Sequence, residues 1–242
     1  MILPHSTYDE IFDALCRESE KANYRLERFA DRTQREYRDL LRSVRTAPRL
    51  PFVRSAVDVL PDSGNRYLQW CVIQKSGQDY YDSHLVQTSR HGERHYWSLH
   101  RVSFYQTDSK SQQWQYILSC ETPHVLKRFR ERTPSLKDVS AEELLAFFRI
   151  RCEHMALLRH YDKISSRTNN GTYAAIQIEG GLLYATVLEQ KTPGGTPYTV
   201  QILNTYIPQS MLKNNQVNNM GDDTFFRRIR EEGFEDTIKK LF

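Results

Sequence analysis

Residues 172–208 read TYAAIQIEGGLLYATVLEQKTPGGTPYTVQILNTYIP, and this stretch decides the fold. Thr172 to Ile178 and Leu182 to Leu188 are apolar runs flanking Gly180-Gly181, a two-residue hairpin signal. Pro193-Gly194-Gly195 separates the second run from a third, Tyr198 to Ile207. Three antiparallel strands are therefore predicted. On the third, Tyr198, Val200, Ile202 and Tyr206 alternate with Thr199, Gln201, Leu203 and Thr205. One face reads as core, and the other is polar enough to line a site.

Upstream of this meander the period changes twice. From Tyr8 to Val44 apolar residues recur at three- and four-residue steps with no Gly or Pro between them, which predicts one long amphipathic helix or two in tandem. Ser6 or Thr7 can cap its start, and Pro48 and Pro51 end it. Residues 6–49 carry 10 Lys+Arg against 9 Asp+Glu, so the helix reads as a balanced, solvated face with an apolar stripe. After a Pro-containing connector through Pro61, alternation takes over: Leu68, Trp70 and Val72 against Tyr67, Gln69, Cys71 and Ile73, then Tyr80 to Gln87, residues 94–106 and residues 113–120. This is a meander of about four strands. A helix from Pro123 to Arg132 follows, then a second from Ser140 to about His160, opened by the capping box Ser140-Ala141-Glu142-Glu143. Residues 222–242 read as one or two short helices anchored by Phe225, Phe226, Ile229, Phe234, Ile238 and Leu241.

The expected fold is α+β: an N-terminal helical arm, an antiparallel β-meander, two central helices, a second three-stranded antiparallel meander and a helical C-terminal tail. A single domain over 1–242 is favoured, with residues 1–120 and 121–242 as its natural subdivision, because no long polar linker parts the halves. With 242 residues, 39% hydrophobic and a net charge of +4, the chain is neither a disordered polyelectrolyte nor a blanket of positive charge. No apolar run approaches membrane-spanning length, and the opening MILPHSTYDE lacks a signal-peptide pattern, so a soluble, cytoplasmic protein without membrane association is expected. Cys16, Cys71, Cys120 and Cys152 are far apart, and buried, reduced thiols are expected of them.

The sharpest chemical signal is Pro123-His124-Val125-Leu126-Lys127-Arg128-Phe129-Arg130-Glu131-Arg132. On a helix His124, Arg128 and Arg132 stack at i, i+4, i+8 along one face. Imidazole can move a proton near neutrality, and guanidinium offers a permanent fork to phosphoryl oxygens. RNA cleavage without a metal needs a base, an acid and a cation on the phosphorane, and this face carries those groups. A basic solvated face with a capping or packed His fits the same spacing. His84, His91, His95 and His100 occur close together but without zinc-ligand spacing, so no metal is expected. No glycine pattern supports a nucleotide cofactor, and none is expected.

The segment HVLKRFRER, followed by GGLLYATV and ILNTYIP, resembles the barnase, colicin and RelE-like group of metal-independent ribonuclease toxins. The resemblance covers residues 121–210. It implies His124 as acid/base, Arg128 and Arg132 as phosphate or transition-state ligands, and Thr205 as a hydroxyl from the last strand. Arg167 could add a positive charge, with Lys127 and Gln201 as further substrate contacts. Some 40 residues and an extra helix separate the His/Arg helix from the sheet, which departs from the family pattern. Two functions are therefore carried forward. One is a metal-independent ribonuclease acting on RNA phosphodiesters. The other is a non-catalytic module binding a protein or nucleic acid through the basic helix and an aromatic-rich sheet, where Tyr80, Tyr81, Tyr96, Trp97, Phe104, Tyr105, Trp114 and Tyr116 interleave with Arg90, Arg94 and Arg101.

Overall fold

The computed structural model describes residues 1–43, 51–74, 79–106, 111–152, 156–161 and 172–212. Helix α1 (Tyr8–Ser43) is followed by strands β1 (Phe52–Val59), β2 (Arg66–Ile73), β3 (Asp79–Thr88), β4 (Arg94–Gln106) and β5 (Ser111–Glu121). Helices α2 (Pro123–Arg132) and α3 (Ala141–Arg151) lead to β6 (Ala156–Tyr161), β7 (Thr172–Ile178), β8 (Gly181–Lys191) and β9 (Pro197–Pro208). The nine strands of the described residues form one sheet in the order β1-β2-β3-β4-β5-β9-β8-β7-β6. Every neighbouring pair is antiparallel except β5 and β9, which run parallel from Tyr116↔Tyr198 to Glu121↔Leu203. This parallel ladder joins the two meanders.

Local chemistry explains the helix starts. Thr7 Oγ1 accepts from Glu10 N at 3.3 Å while Glu10 Oε2 accepts from Thr7 N at 2.7 Å, a reciprocal cap that selects Thr7 over Ser6. Thr122 caps α2 through Val125 N, with Pro123 in the first turn, where a missing N–H costs nothing. Ser140 and Glu143 form the capping box expected for α3.

Three expectations are corrected. The stretch before Pro61 contains β1, an edge strand that begins directly after Pro51, a position where proline removes no ladder bond. Helix α3 ends at Arg151 instead of His160, and residues 156–161 pair with β7 as a fourth strand of the second meander. A short apolar run such as Ala156–Tyr161 suits either period, and pairing with a neighbour decides. The hairpin loop is Glu179-Gly180, not Gly180-Gly181, since Gly181 already pairs with Ile178. Gly180 takes φ +77°, a left-handed conformation that glycine adopts without strain. The helical reading of 222–242 lies outside the described residues.

Strand alternation gives the sheet two faces. Tyr67, Leu85, Trp97, Leu118, Cys120, Tyr198 and Val200 meet Ile11, Phe12, Ala14, Leu15 and Ala22 of α1, so the expected arm is a packed layer. Phe12 stacks on Tyr198 at 4.4 Å between ring centroids. Leu68, Trp70, Val72, Val86, Ile176, Leu183, Ala185 and Tyr206 face α2 and α3 instead. There Phe129 sits edge-on to both Phe148 and Tyr206 at 5.2 Å. Large rings do supply much of the core, as a lean composition requires. Cys71, Cys120 and Cys152 are buried free thiols, whereas Cys16 is exposed, contrary to expectation, because it lies on the outer side of α1.

Candidate active site

The same alternation places ionisable groups under α3. Asp82 and His84 on β3, His100 on β4 and Glu121 on β5 point to the face that α3 covers, and Arg149 descends from the last turn of that helix. Arg149 Nη1 donates to Glu121 Oε1 at 2.9 Å, and its Nη2 reaches His100 Nε2 at 3.1 Å and Asp82 Oδ2 at 4.0 Å. Since guanidinium can only donate, His100 Nε2 accepts and its proton resides on Nδ1. Ser98 Oγ lies 2.8 Å from the same Nε2. Trp70 Nε1 donates to His84 Nδ1 at 3.4 Å, which leaves the His84 proton on Nε2, 3.8 Å from both Glu121 Oε2 and Asp82 Oδ2.

Burial sets the protonation of this group. His84 and Glu121 are fully buried, and the Arg149 side chain is 10% exposed. Burial, assisted by the Arg149 charge, holds His84 well below the usual imidazole range and pushes His100 down to about 4. Both are neutral near pH 7. Burial raises the Glu121 carboxyl against the pull of Arg149. Glu121 Oε2, His84 Nε2, Arg149 Nε and the Ser119 hydroxyl have no hydrogen-bond partner among the described residues. Unmet capacity of this kind is costly and concentrates at functional sites.

Asp82, His100 and Arg149 open onto a cavity of about 820 Å³ between α3 and the sheet, within the size range of small-molecule sites. Ile117, Ile150, Ile176 and Val187 form its apolar middle, and Trp70 and Tyr80 lie toward the Asp82 end. Gln115, Thr199, Glu189 and Gln201 make a second polar pole. There the Thr199 hydroxyl donates to Glu189 at 3.1 Å and accepts from Gln115 Nε2. Glu121 stands behind Arg149, so three carboxylates (Asp82, Glu121, Glu189) meet the guanidiniums of Arg149 and Arg101, and Arg101 is stacked over Trp114 at 4.4 Å. The balance does not favour a polyanion.

Of the residues singled out from sequence, Gln201 lines this cavity and His124, Lys127, Arg128, Arg132 and Thr205 do not. His124 and Lys127 are exposed on α2. Arg128 is engaged by Glu131 at 2.9 Å, an i,i+3 surface pair worth little. Arg132 donates to the Tyr206 carbonyl, which brings the end of α2 onto β9 beside Thr205. Thr205 is half-buried and pairs with Tyr184 of β8. Arg167 and the side chains of Phe104 and Tyr105 lie outside the described residues. His84 and His100 face one side because the β3–β4 register pairs Leu85 with Trp97, and the Arg149 guanidinium reaches His100 and Glu121 there. No group of three His, Cys, Asp or Glu among the described residues is arranged to hold a metal. No described helix is long and apolar enough to cross a membrane.

Sequence reasoning passed over Asp82, Glu121 and Arg149, which come from three elements. The available signal was an ionisable residue at every second position of a strand whose inward neighbours are apolar. No family model matches the chain, and neither does any curated protein or solved structure.

Proposed function

We propose that the protein binds a small, uncharged or cationic molecule in the cavity under α3, and that Asp82, His100 and Arg149 are its polar contacts. The supporting observation is the Asp82-His100-Arg149 floor, held from behind by the fully buried pair Glu121 and His84. A floor fixed on two strands and one helix is preorganised, so little ordering cost falls on binding. A neutral imidazole beside a carboxylate with raised pKa also supplies a donor and an acceptor for proton transfer without a metal. The apolar middle between two polar poles suits a ligand that hydrogen-bonds at both ends, such as a nucleoside or an aromatic amine.

A thermal-shift panel of nucleosides, bases and aromatic amines against their phosphorylated counterparts tests the reading. At 100 times Kd a ligand adds about 2.7 kcal/mol, or roughly 5–10 °C for a chain of this size. Asp82→Asn should abolish the shift. Preference for the phosphates, or shifts unchanged in Asp82→Asn, would overturn it.

A second reading retains metal-independent RNA cleavage on the α2 face. Its support is that His124 is exposed one turn before Arg128, while Arg132 is carried onto β9 at the Tyr206 carbonyl; Thr205 pairs with Tyr184 on the face of the sheet away from α2. Protein or nucleic-acid binding by the same basic face is its non-catalytic form.

A further inference from the structure

The charges of α1, balanced in the sequence, are sorted by the fold. At 100° per residue Arg17, Lys21, Arg25, Arg28, Arg32 and Arg35 fall within an arc of about 80°. That arc borders the buried stripe of Ala22, Leu26 and Phe29. It contains no acidic residue between Arg17 and Arg35: Glu18 lies toward the core, where Asn65 and Tyr67 donate to it at 2.8 Å, and Asp31, Glu20 and Glu27 fall about 40°, 60° and 80° beyond its outer edge. The basic stripe runs over 19 residues, 18 steps of 1.5 Å or about 27 Å.

Along its C-terminal half the stripe borders a groove of about 660 Å³ against the edge strand β1. Arg25, Arg28, Arg32 and Arg35 line one wall, with Tyr24 and Asp31, and Ala56, Val57 and Asp58 line the other. Asp58 is taken by Arg25 at 2.7 Å, whereas Arg28, Arg32 and Arg35 have no carboxylate within 4.0 Å among the described residues. Four guanidiniums against Asp31 and Asp58 leave the groove at +2. Tyr24 is 59% exposed, and Arg28 lies over its ring at 5.8 Å. Gln69 also lines the groove; it is 4% exposed and its Nε2 has no hydrogen-bond partner among the described residues.

We infer that this groove binds the backbone of single-stranded nucleic acid. Arginines three and four residues apart meet successive phosphates, the exposed tyrosine gives a base a stacking surface, and the Gln69 amide offers a buried donor. A membrane surface fits less well, since an interfacial helix presents a free apolar face and that of α1 is already packed on the sheet. The inference is independent of the cavity, which lies on the opposite face of the sheet.

Fluorescence anisotropy with a labelled 20-nucleotide oligo(U), titrated at several salt concentrations, tests it. Wild-type protein should bind with an affinity that falls steeply with salt. The triple variant Arg28→Ala, Arg32→Ala, Arg35→Ala should bind at least tenfold more weakly and show a salt slope shallower by about 2, near 0.7 per lost phosphate contact. Tyr24→Leu should weaken binding while leaving the slope unchanged, a split that a merely structural role would not produce. Lys137→Ala, which removes an exposed cation that does not line the groove, should bind as wild type does. Unchanged affinity in a triple variant with wild-type circular dichroism overturns the inference. So does equal competition by polyglutamate or by anionic vesicles, which would identify an acidic protein or a membrane as the partner.

Discussion

Arg149 and Glu121 are joined at 2.9 Å across the gap between the last turn of α3 and the end of β5, and the Glu121 side chain is fully buried. Their bond fixes the helix over the cavity. Removing one partner strands the other charge in the core, so Arg149→Met or Glu121→Leu alone should cost about 3–5 kcal/mol. The double variant should recover a large part of that loss, because no lone charge remains. Urea unfolding of the four proteins gives the coupling directly, and strictly additive losses would contradict the pairing.

Stability should fall on mild acidification. His100 titrates near 6.5 when unfolded and near 4 when folded, so between these values the unfolded chain binds more protons. Its contribution is fully present above pH 6.5 and is lost as pH falls toward 4, at most about 3 kcal/mol. His84, lowered by the same burial, acts in the same direction. Glu121 opposes them: its raised carboxyl destabilises the folded state as pH rises through its folded value. His100→Gln should flatten the slope of unfolding free energy between pH 6.5 and 4, and an unaltered slope would locate the titration elsewhere.

If α2 carries ribonuclease chemistry, cleavage of single-stranded and structured RNA should persist in excess EDTA. Loss of a positioned acid or base lowers rates about 10²–10⁴-fold, and His124→Ala should show that loss. Arg128→Lys should also impair cleavage, since an ammonium lacks the bidentate fork. Equal cleavage by wild type and His124→Ala would rule out this face, as would intact RNA in both.

Gly181, the first residue of β8, and Gly195, in the turn between β8 and β9, should respond differently to alanine. A Cβ on Gly181 would lie 2.4 Å from the Ile207 carbonyl, so the β8–β9 ladder itself must move. Gly195, at φ +85°, has nothing within 4 Å, and its alanine variant bears only the left-handed backbone penalty of roughly 1–2 kcal/mol. Thermal unfolding should show a clearly larger loss for Gly181→Ala, with similar losses counting against the close approach.

What could be read from the sequence was local. Thr7 with Glu10 and Ser140 with Glu143 announce helix starts because a cap is made within four residues. The alternation from Tyr198 to Leu203 announces a two-sided strand for the same reason, but the β8–β9 register shifts between Tyr184 and Ala185, which turns Tyr206 to the face of Leu203 and away from Tyr198, contrary to the alternation expected of it. Strand β6 was hidden because Ala156–Tyr161 takes its state from β7, and β1 because Pro51 marks the connector more loudly than Phe52–Val59 marks a strand. The site was hidden more deeply. Asp82 and Arg149 are 67 positions apart, and only the packing of α3 on β1 and β2, which carries its last turn to the neighbouring β3, makes them neighbours at 4.0 Å. The HVLKRFRER face was conspicuous because its residues adjoin in sequence, yet Arg128 and Arg132 spend their guanidiniums on Glu131 and the Tyr206 carbonyl.

The parallel ladder of β5 with β9 also constrains how the chain reaches its fold. Tyr116 and Tyr198 are paired across 82 positions, so closing the seam brings together segments far apart in the chain. Closing so long a loop is slow relative to the local hairpins on either side of it. Until then β5 presents an open edge, the kind of surface on which strands of other chains add. Two separately produced halves, 1–121 and 122–242, would each carry one lip of the seam and would recover native structure only by finding one another.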